Sequence, residues 1–317
     1  MKFSRVLVTG GAGFIGSHIV DALIGRDLEV GVLDDFATGE MSNLPIDSPR
    51  LRIHRGDIRD EAFVKQAVKG YDAIVHEAAL VSVTRSIEDP ERTNSVNVGG
   101  TLNLLSAAND AKIERFIFAS SSSVYGESQT LPKIETMNTS PISPYAVSKL
   151  AAENYCRVFA SVYGLSTVSL RYFNVYGPRQ KYGPYSGVIP TFVNRVIHDE
   201  APIVFGDGEQ TRDFTYVQDA VSANLLSLER DPSPGEVFNV EGGAQVSLNL
   251  LAASIEKIMG KPSLGTEHAP PREGDIRHSF ADISKARAVL GYSPRYSLED
   301  GLREVIGGFV ARASGHR

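Results

Sequence analysis

The 317-residue sequence predicts an α/β fold: a doubly wound parallel sheet with a smaller, substrate-binding C-terminal region. Three observations carry that reading. Short runs that are apolar throughout recur between residues 6 and 173, as strands buried on both faces require. Helical patterns separate them, which makes the connections crossovers and the strands parallel. Each run also ends in a polar or glycine cluster, on the side of the sheet where such folds bind ligands.

The elements follow in order. Val6-Leu7-Val8 ends in Thr9-Gly10-Gly11, and an amphipathic stretch runs from Phe14 to Ile24. Val30-Gly31-Val32-Leu33 ends at Asp34-Asp35, and Leu51-Arg52-Ile53 leads into Gly56-Asp57. Ala73-Ile74-Val75-His76 ends at Ala78-Ala79. Phe116-Ile117-Phe118 ends in four serines, Ser120 to Ser123, and the run from Val168 to Phe173 ends at Asn174. Beyond residue 174 prolines and glycines become denser, the mark of a loop-rich region laid over the sheet. Val237-Phe238-Asn239-Val240 reads as one more strand returning to it. The expected division is therefore 1–173 with returning segments at about 214–243 for the sheet domain, and 174–213 with 244–317 for the outer region.

Composition narrows the function class. The chain is 42% hydrophobic and 22% charged, with 32 basic against 38 acidic residues. The net charge of −6 and the lack of a basic tract argue against nucleic acid or an anionic membrane as partner. A single cysteine, Cys156, excludes an intrachain disulfide and a multi-cysteine zinc site. It lies in a helical pattern and reads as a small buried residue. The seven histidines show no metal-ligand spacing, so no metal is expected. No stretch approaches a membrane span, and the N-terminus enters a strand without a signal-peptide pattern. A cytoplasmic protein is expected.

Two motifs carry chemistry. Gly10, Gly13 and Gly16 fall between the first strand and the first helix. The first permits a tight turn, the second lets backbone approach a pyrophosphate at the helix N-terminus, and the third lets helix and strand pack closely. Asp34, at the end of the next strand, is placed to accept from both hydroxyls of an adenine ribose, which favours NAD over NADP. Asp57, at the strand end after that, is placed to face the adenine. In Ser143-Pro144-Tyr145-Ala146-Val147-Ser148-Lys149, Pro144 suits a first helical turn, and Tyr145 and Lys149 then share a face. An ammonium near a phenol favours phenolate, and phenolate is a usable base for an alcohol.

The glycine triplet, the serine strand end and Tyr-x-x-x-Lys resemble the extended short-chain dehydrogenase/reductase family, whose fold is the Rossmann sheet. Arg171-Tyr172-Phe173-Asn174-Val175-Tyr176-Gly177-Pro178, the segment Gly206 to Phe214, and Arg272-Glu273-Gly274-Asp275 resemble its nucleotide-sugar enzymes, above all UDP-hexose 4-epimerases. The likeness runs from Val6 to about Gly301. It implies NAD as a tightly bound cofactor that is not consumed, held by Gly10, Gly13, Phe14, Ile15 and Gly16, by Asp34, Asp35, Thr38 and Gly39, by Asp57, Ile58, Ala78 and Ala79, and by Tyr145, Lys149, Tyr172 and Val175. It implies catalysis by Ser121, Tyr145 and Lys149: Tyr145 removes the sugar 4-OH proton, hydride leaves C4, and the keto sugar turns over before both return. For a UDP-sugar substrate it implies contacts from Ser121, Asn174, Val188, Val204, Phe205, Arg212, Arg272, Asp275 and Ser279.

Within the family the serines discriminate. Sugar 4,6-dehydratases carry Asp and Glu at the two positions after the active-site hydroxyl, and UDP-glucuronate decarboxylases carry a Glu at the second. Here both are serine, Ser122 and Ser123, and serine is no general acid or base near neutral pH. Ser279 stands where some 4-epimerases have a bulky tyrosine, which implies room for an N-acetyl group at C2. Val81 stands where some relatives have a lysine near the nicotinamide. Tyr182 and Tyr185 either line the sugar pocket or pack. Asn97 matches a family helix position near the active site. Helices expected at about 93–110 and 144–163 resemble a pair that forms a four-helix homodimer interface. The alternatives are a UDP-glucuronate 4-epimerase or another nucleotide-sugar oxidoreductase of the family, and a non-catalytic NAD(H)-sensing protein.

Overall fold

A computed structural model describes residues 2–128, 130–183, 186–271 and 277–314, with side chains as far as residue 311. Its centre is a seven-stranded parallel sheet. The first six strands are β1 (Arg5–Thr9), β2 (Glu29–Asp34), β3 (Leu51–Arg55), β4 (Ala73–His76), β5 (Arg115–Ser121) and β6 (Thr167–Tyr172), and the seventh is Glu236–Val240. In space the order is Glu236–Val240, β6, β5, β4, β1, β2, β3. The chain winds outward from β1 to β3 and then crosses to β4 on the other side of β1. That reversal opens a crevice beyond the carboxyl ends of β1 and β4.

The strands are apolar throughout because both faces are covered. Val6, Val8, Val30, Val32, Ala73, Val75, Ile117 and Ala119 face one core with α1 (Phe14–Ile24) and the helix Val217–Glu229. Leu7, Leu33, Ile74, Phe116 and Phe118 face the other, with α2 (Glu61–Ala67), α5 (Thr101–Asp110) and α6 (Pro144–Tyr163). Successive residues of a strand alternate between the two cores, as the pleat dictates.

Two of these helices show why their sequences stop and start where they do. In α6 the Ser143 hydroxyl accepts from Ala146 N at 3.1 Å, Pro144 occupies the first turn, and Gly164 ends the helix in the left-handed region at φ 73°. The stretch expected as a single helix over 93–110 is broken. It consists of α4 (Pro90–Asn94), a π-helical turn at Ser95–Gly100 and α5, preceded by α3 (Val83–Glu88). A Cβ on Gly100 would overlap Ile58, so close packing there selects glycine. The wider turn seats Asn97 inside the protein.

A third core lies outside the sheet. Ile189, Phe192, Val193, Val204, Phe214, Leu251, Ile255, Leu302 and Phe309 pack together with Tyr176 and Tyr216. It gathers most of the segments assigned by sequence to the outer region. Helix Ser284–Leu290 is an exception, because Ala286 and Leu290 pack into the sheet's own core. No helix among the described residues is long and apolar enough to cross a membrane.

Candidate active site

The serine run divides into residues with different fates. Ser120 is buried and donates to Glu153 at 2.7 Å, within an ion pair between Glu153 and Arg171 at 2.6 Å. Ser121 ends β5, and Ser122 to Tyr125 form a 3-10 turn. Ser123 donates to the Ser121 oxygen through both its N–H and its hydroxyl, at 3.2 and 2.9 Å. The Ser121 hydroxyl also lies close enough to the Tyr145 phenol to favour its ionised form. Register places Ser121 directly beside Tyr172 of β6.

Tyr145 and Lys149 lie one turn apart on α6 and face the end of β5. Lys149 is buried, its Nζ donates to Ala119 O at 2.8 Å, and it stands 5.1 Å over the Phe118 ring. The Tyr145 phenol is raised above its ordinary value, first by burial and then by the charge of Glu77, with the Ser121 hydroxyl as the opposing influence. The Lys149 ammonium donates to a carbonyl, and burial lowers its pKa while the Glu77 charge holds it up.

Helix α6 is tied to the crevice through Asn97. Its amide accepts from Leu80 N at 2.8 Å and donates to Leu80 O and the Ser148 hydroxyl, both at 3.0 Å. Beneath it, His76 bridges Thr9 at 2.7 Å and Thr101 at 2.9 Å, and burial drives its pKa down to about 3, so it remains neutral. Cys156 is fully buried and burial pushes its thiol up, as suits an inert packing residue.

The glycine loop occupies the crevice between β1 and β4. Gly10 has φ 66°, and a Cβ there would stand 2.7 Å from Ala78 N, so the loop and the Ala78-Ala79 strand end meet backbone to backbone. A Cβ on Gly16 would overlap the Gly10 carbonyl. The N-terminus of α1 has no side-chain cap and no acidic residue in its first turn, whereas α2 and α6 are capped by Asp60 and Ser143. Uncapped N–H groups at a glycine-lined turn suit a diphosphate. Asp34, at the end of β2, accepts from Ala12 N at 2.9 Å and Phe36 N at 2.8 Å. Each oxygen keeps a lone pair for a ribose hydroxyl. Asp35, Thr38 and Gly39 form the loop that folds over Ala12, with Glu40 N donating to Ala12 O.

The other expected positions fall as follows. Phe14 and Ile15 open α1. Asp57 is paired with Arg59 at 2.6 Å, which holds its carboxyl below the usual range. Ile58 is buried against Gly100, and its carbonyl accepts from Asn103. Val204 is wholly enclosed in the outer core, and Phe205 beside it is half-buried. Asn174 stands exposed at φ 38°, its amide donating to Asp213 O, and Val175 pairs with Thr215. Ser279 pairs with Arg212 across two short strands, which brings two expected substrate contacts together. Val188 opens the helix Val188–Ile197. Tyr182 is exposed. Arg272, Asp275 and Tyr185 lie outside the described residues. Among the described residues no cluster of His, Cys, Asp and Glu could hold a metal.

Residues 6–240 match the family model described as the NAD dependent epimerase/dehydratase family. The chain belongs to that family. A putative UDP-glucose 4-epimerase of Methanocaldococcus jannaschii is 39% identical over 95% of this chain and 97% of that one. The structure of UDP-N-acetylglucosamine 4-epimerase from Methanobrevibacter ruminantium, in complex with UDP-N-acetylmuramic acid, has a TM-score of 0.94 at 41% identity and covers 98% of this chain and 100% of its own. The UDP-glucose 4-epimerase of Thermus thermophilus in complex with NAD has a TM-score of 0.87 at 39% identity, covering 96% and 99%.

The cofactor of this epimerase/dehydratase family member is NAD. The residues of the crevice fit it: a glycine turn that no Cβ could occupy, an uncapped helix start, and a buried carboxylate at the next strand end. Sequence reasoning missed one acidic neighbour of the site, Glu77. The signal was available, since a carboxylate directly follows β4 at the crevice.

Proposed function

We propose that this protein is a UDP-sugar 4-epimerase acting on UDP-glucose/UDP-galactose and on their N-acetylated counterparts. One observation carries the reading. Ser121, Tyr145 and Lys149 converge at the end of β5, and the turn that follows offers two hydroxyls where elimination or decarboxylation needs a carboxylate. Bound NAD supplies a reversible hydride acceptor for the sugar C4. Tyr145 takes the 4-OH proton and, once the keto sugar has turned its other face, gives it back to the same oxygen, a task for one shuttle. Ser121 holds the reacting oxygen and hydrogen-bonds Tyr145 through the same hydroxyl. Lys149 supplies a fixed positive charge behind the pair.

The diphosphate is assigned to Asn174, Arg212 and Arg272, and the uridine ribose to Asp275. Arg suits this because its planar fork makes paired hydrogen bonds to phosphate oxygens. Ser279, beside Arg212, leaves space for an acetamido group. A firm grip on the nucleotide and a loose one on the hexose let the keto sugar turn over without escaping.

The test is direct. Purified protein, with no added cofactor, is incubated with UDP-galactose, UDP-N-acetylgalactosamine and UDP-galacturonate, and each C4 epimer is read by NMR. Conversion of the first two is expected. Conversion of the uronate alone would replace this reading with a UDP-glucuronate 4-epimerase, and conversion of none would overturn it.

A further inference from the structure

Glu77 directly follows β4, at the crevice between β1 and β4. Its N–H donates to Thr9 O at 3.1 Å, which fixes its backbone beside the glycine turn. Its carboxylate accepts from the Tyr172 hydroxyl at 2.7 Å. That hydroxyl accepts in turn from Asn224 Nδ2 at 2.7 Å, and Asn224 is fully buried on the helix Val217–Glu229. The carboxylate is thus held from two elements, while Tyr172 is the register partner of Ser121. Register pairs His76 with Phe118, so Glu77 follows on beside Ala119, whose carbonyl accepts from Lys149 Nζ at 2.8 Å; its charge acts on Lys149 and Tyr145 of α6 and on Tyr172 of β6. Tyr292 adds to the field at Tyr172, and neutral His76 adjoins Glu77 on its own chain segment.

We infer that Glu77 is a positioning residue of the active site: tethered by Tyr172, its carboxylate sets the charge of the Tyr145–Lys149 pair and so the pH range in which the pair works. The electrostatics agree with the geometry. Burial pushes the Glu77 carboxyl up, against the Tyr172 hydrogen bond and the Lys149 charge. Burial pushes Lys149 down, and Glu77 is the largest influence opposing that fall. At Tyr145 the same charge acts against ionisation. Glu77 therefore holds the proton on both partners, keeping Lys149 cationic and Tyr145 neutral until substrate and cofactor charges intervene.

Glu77→Gln separates this role from a structural one, because glutamine keeps an acceptor for Tyr172 and removes only the charge. Tyr145 then ionises at lower pH and Lys149 deprotonates at lower pH. Both limbs of the kcat profile should move to lower pH by about one unit, with KM little changed. The activity readout rests on the proposed epimerase function. A second readout does not: the ultraviolet tyrosinate titration of Tyr145, taken as the difference between each protein and its Tyr145→Phe counterpart, should also shift down. Tyr172→Phe should move it in the same direction, since a Glu77 that has lost its donor is more often neutral. A Tyr145 titration unmoved in both variants, or a kcat lowered equally at every pH, overturns the inference. Inactive wild-type protein with a shifted titration refutes the epimerase and leaves Glu77 as argued.

Discussion

Tyr145 carries the proton in the proposed reaction, and its hydroxyl is replaceable without disturbing the fold, since it meets the Ser121 side chain at the open end of β5. Tyr145→Phe should lower kcat by roughly 10²–10⁴-fold while the NAD released on denaturation stays the same. NMR epimerisation assays and ultraviolet quantification of cofactor check both halves. In the proposed reading Ser279 decides the sugar rather than the chemistry. Ser279→Tyr should abolish turnover of the N-acetylated pair and spare UDP-galactose, and equal loss of both would remove the steric account. Ser120, by contrast, is tied to Glu153 and Arg171 inside the protein. Four consecutive serines thus hold a buried structural hydroxyl, the proposed catalytic one, and two on a turn.

At the scale of elements, the site depends on how α6 and the glycine turn are seated. Asn97 joins the loop after β4 to α6 and satisfies Leu80 on both its N–H and its carbonyl. Asn97→Ala leaves those groups unpaired and should cost about 1–3 kcal/mol, read by denaturant unfolding. Ser148→Ala in the same background should add less than it does alone, because the two share a hydrogen bond. The expected 93–110 helix is interrupted at this residue. A period of 3.6 residues cannot show a π turn, because a single extra residue leaves the apolar stripe nearly unchanged. Likewise, the resemblance that singled out Ile58 and Val204 does not give the direction of their side chains, which packing determines: Ile58 joins the core beneath α5, and Val204 the outer core.

At the scale of the molecule, two buried carboxyls lie at the junction of the sheet and the outer region. Burial raises Asp213 to about 6 and Glu241 to about 8, and the Asp213 charge adds to the rise at Glu241. These two groups bind more protons in the folded state than in the unfolded chain between about pH 4 and 8, so the stability they contribute falls as pH rises through that window. The melting temperature should decline from pH 5 to pH 8, and Glu241→Gln should flatten the decline. A flat wild-type profile would show that other groups compensate. The proposed homodimer has a surface to form it: Val147, Tyr155, Val158 and Val162 are exposed along α6. Replacing Val158 and Val162 with glutamate should give a monomer by light scattering, with the far-ultraviolet circular dichroism unchanged. A wild-type monomer at micromolar concentration would refute the dimer.

The sequence by itself determined the strands, their parallel order of burial, the glycine turn and the Tyr145–Lys149 spacing. These follow from short-range rules: apolar runs for doubly covered strands, φ above zero for Gly10, and one helical turn between i and i+4. The tertiary structure alone decided what each polar group faces. Whether Lys149 points at a phenol or a carbonyl, and whether Glu77 lies in water or against Tyr172, depends on residues distant in sequence meeting at one end of the sheet. Burial and charge act through space, so the proton affinities that suit this site to its proposed chemistry arise only once β4, β5, β6 and α6 are assembled.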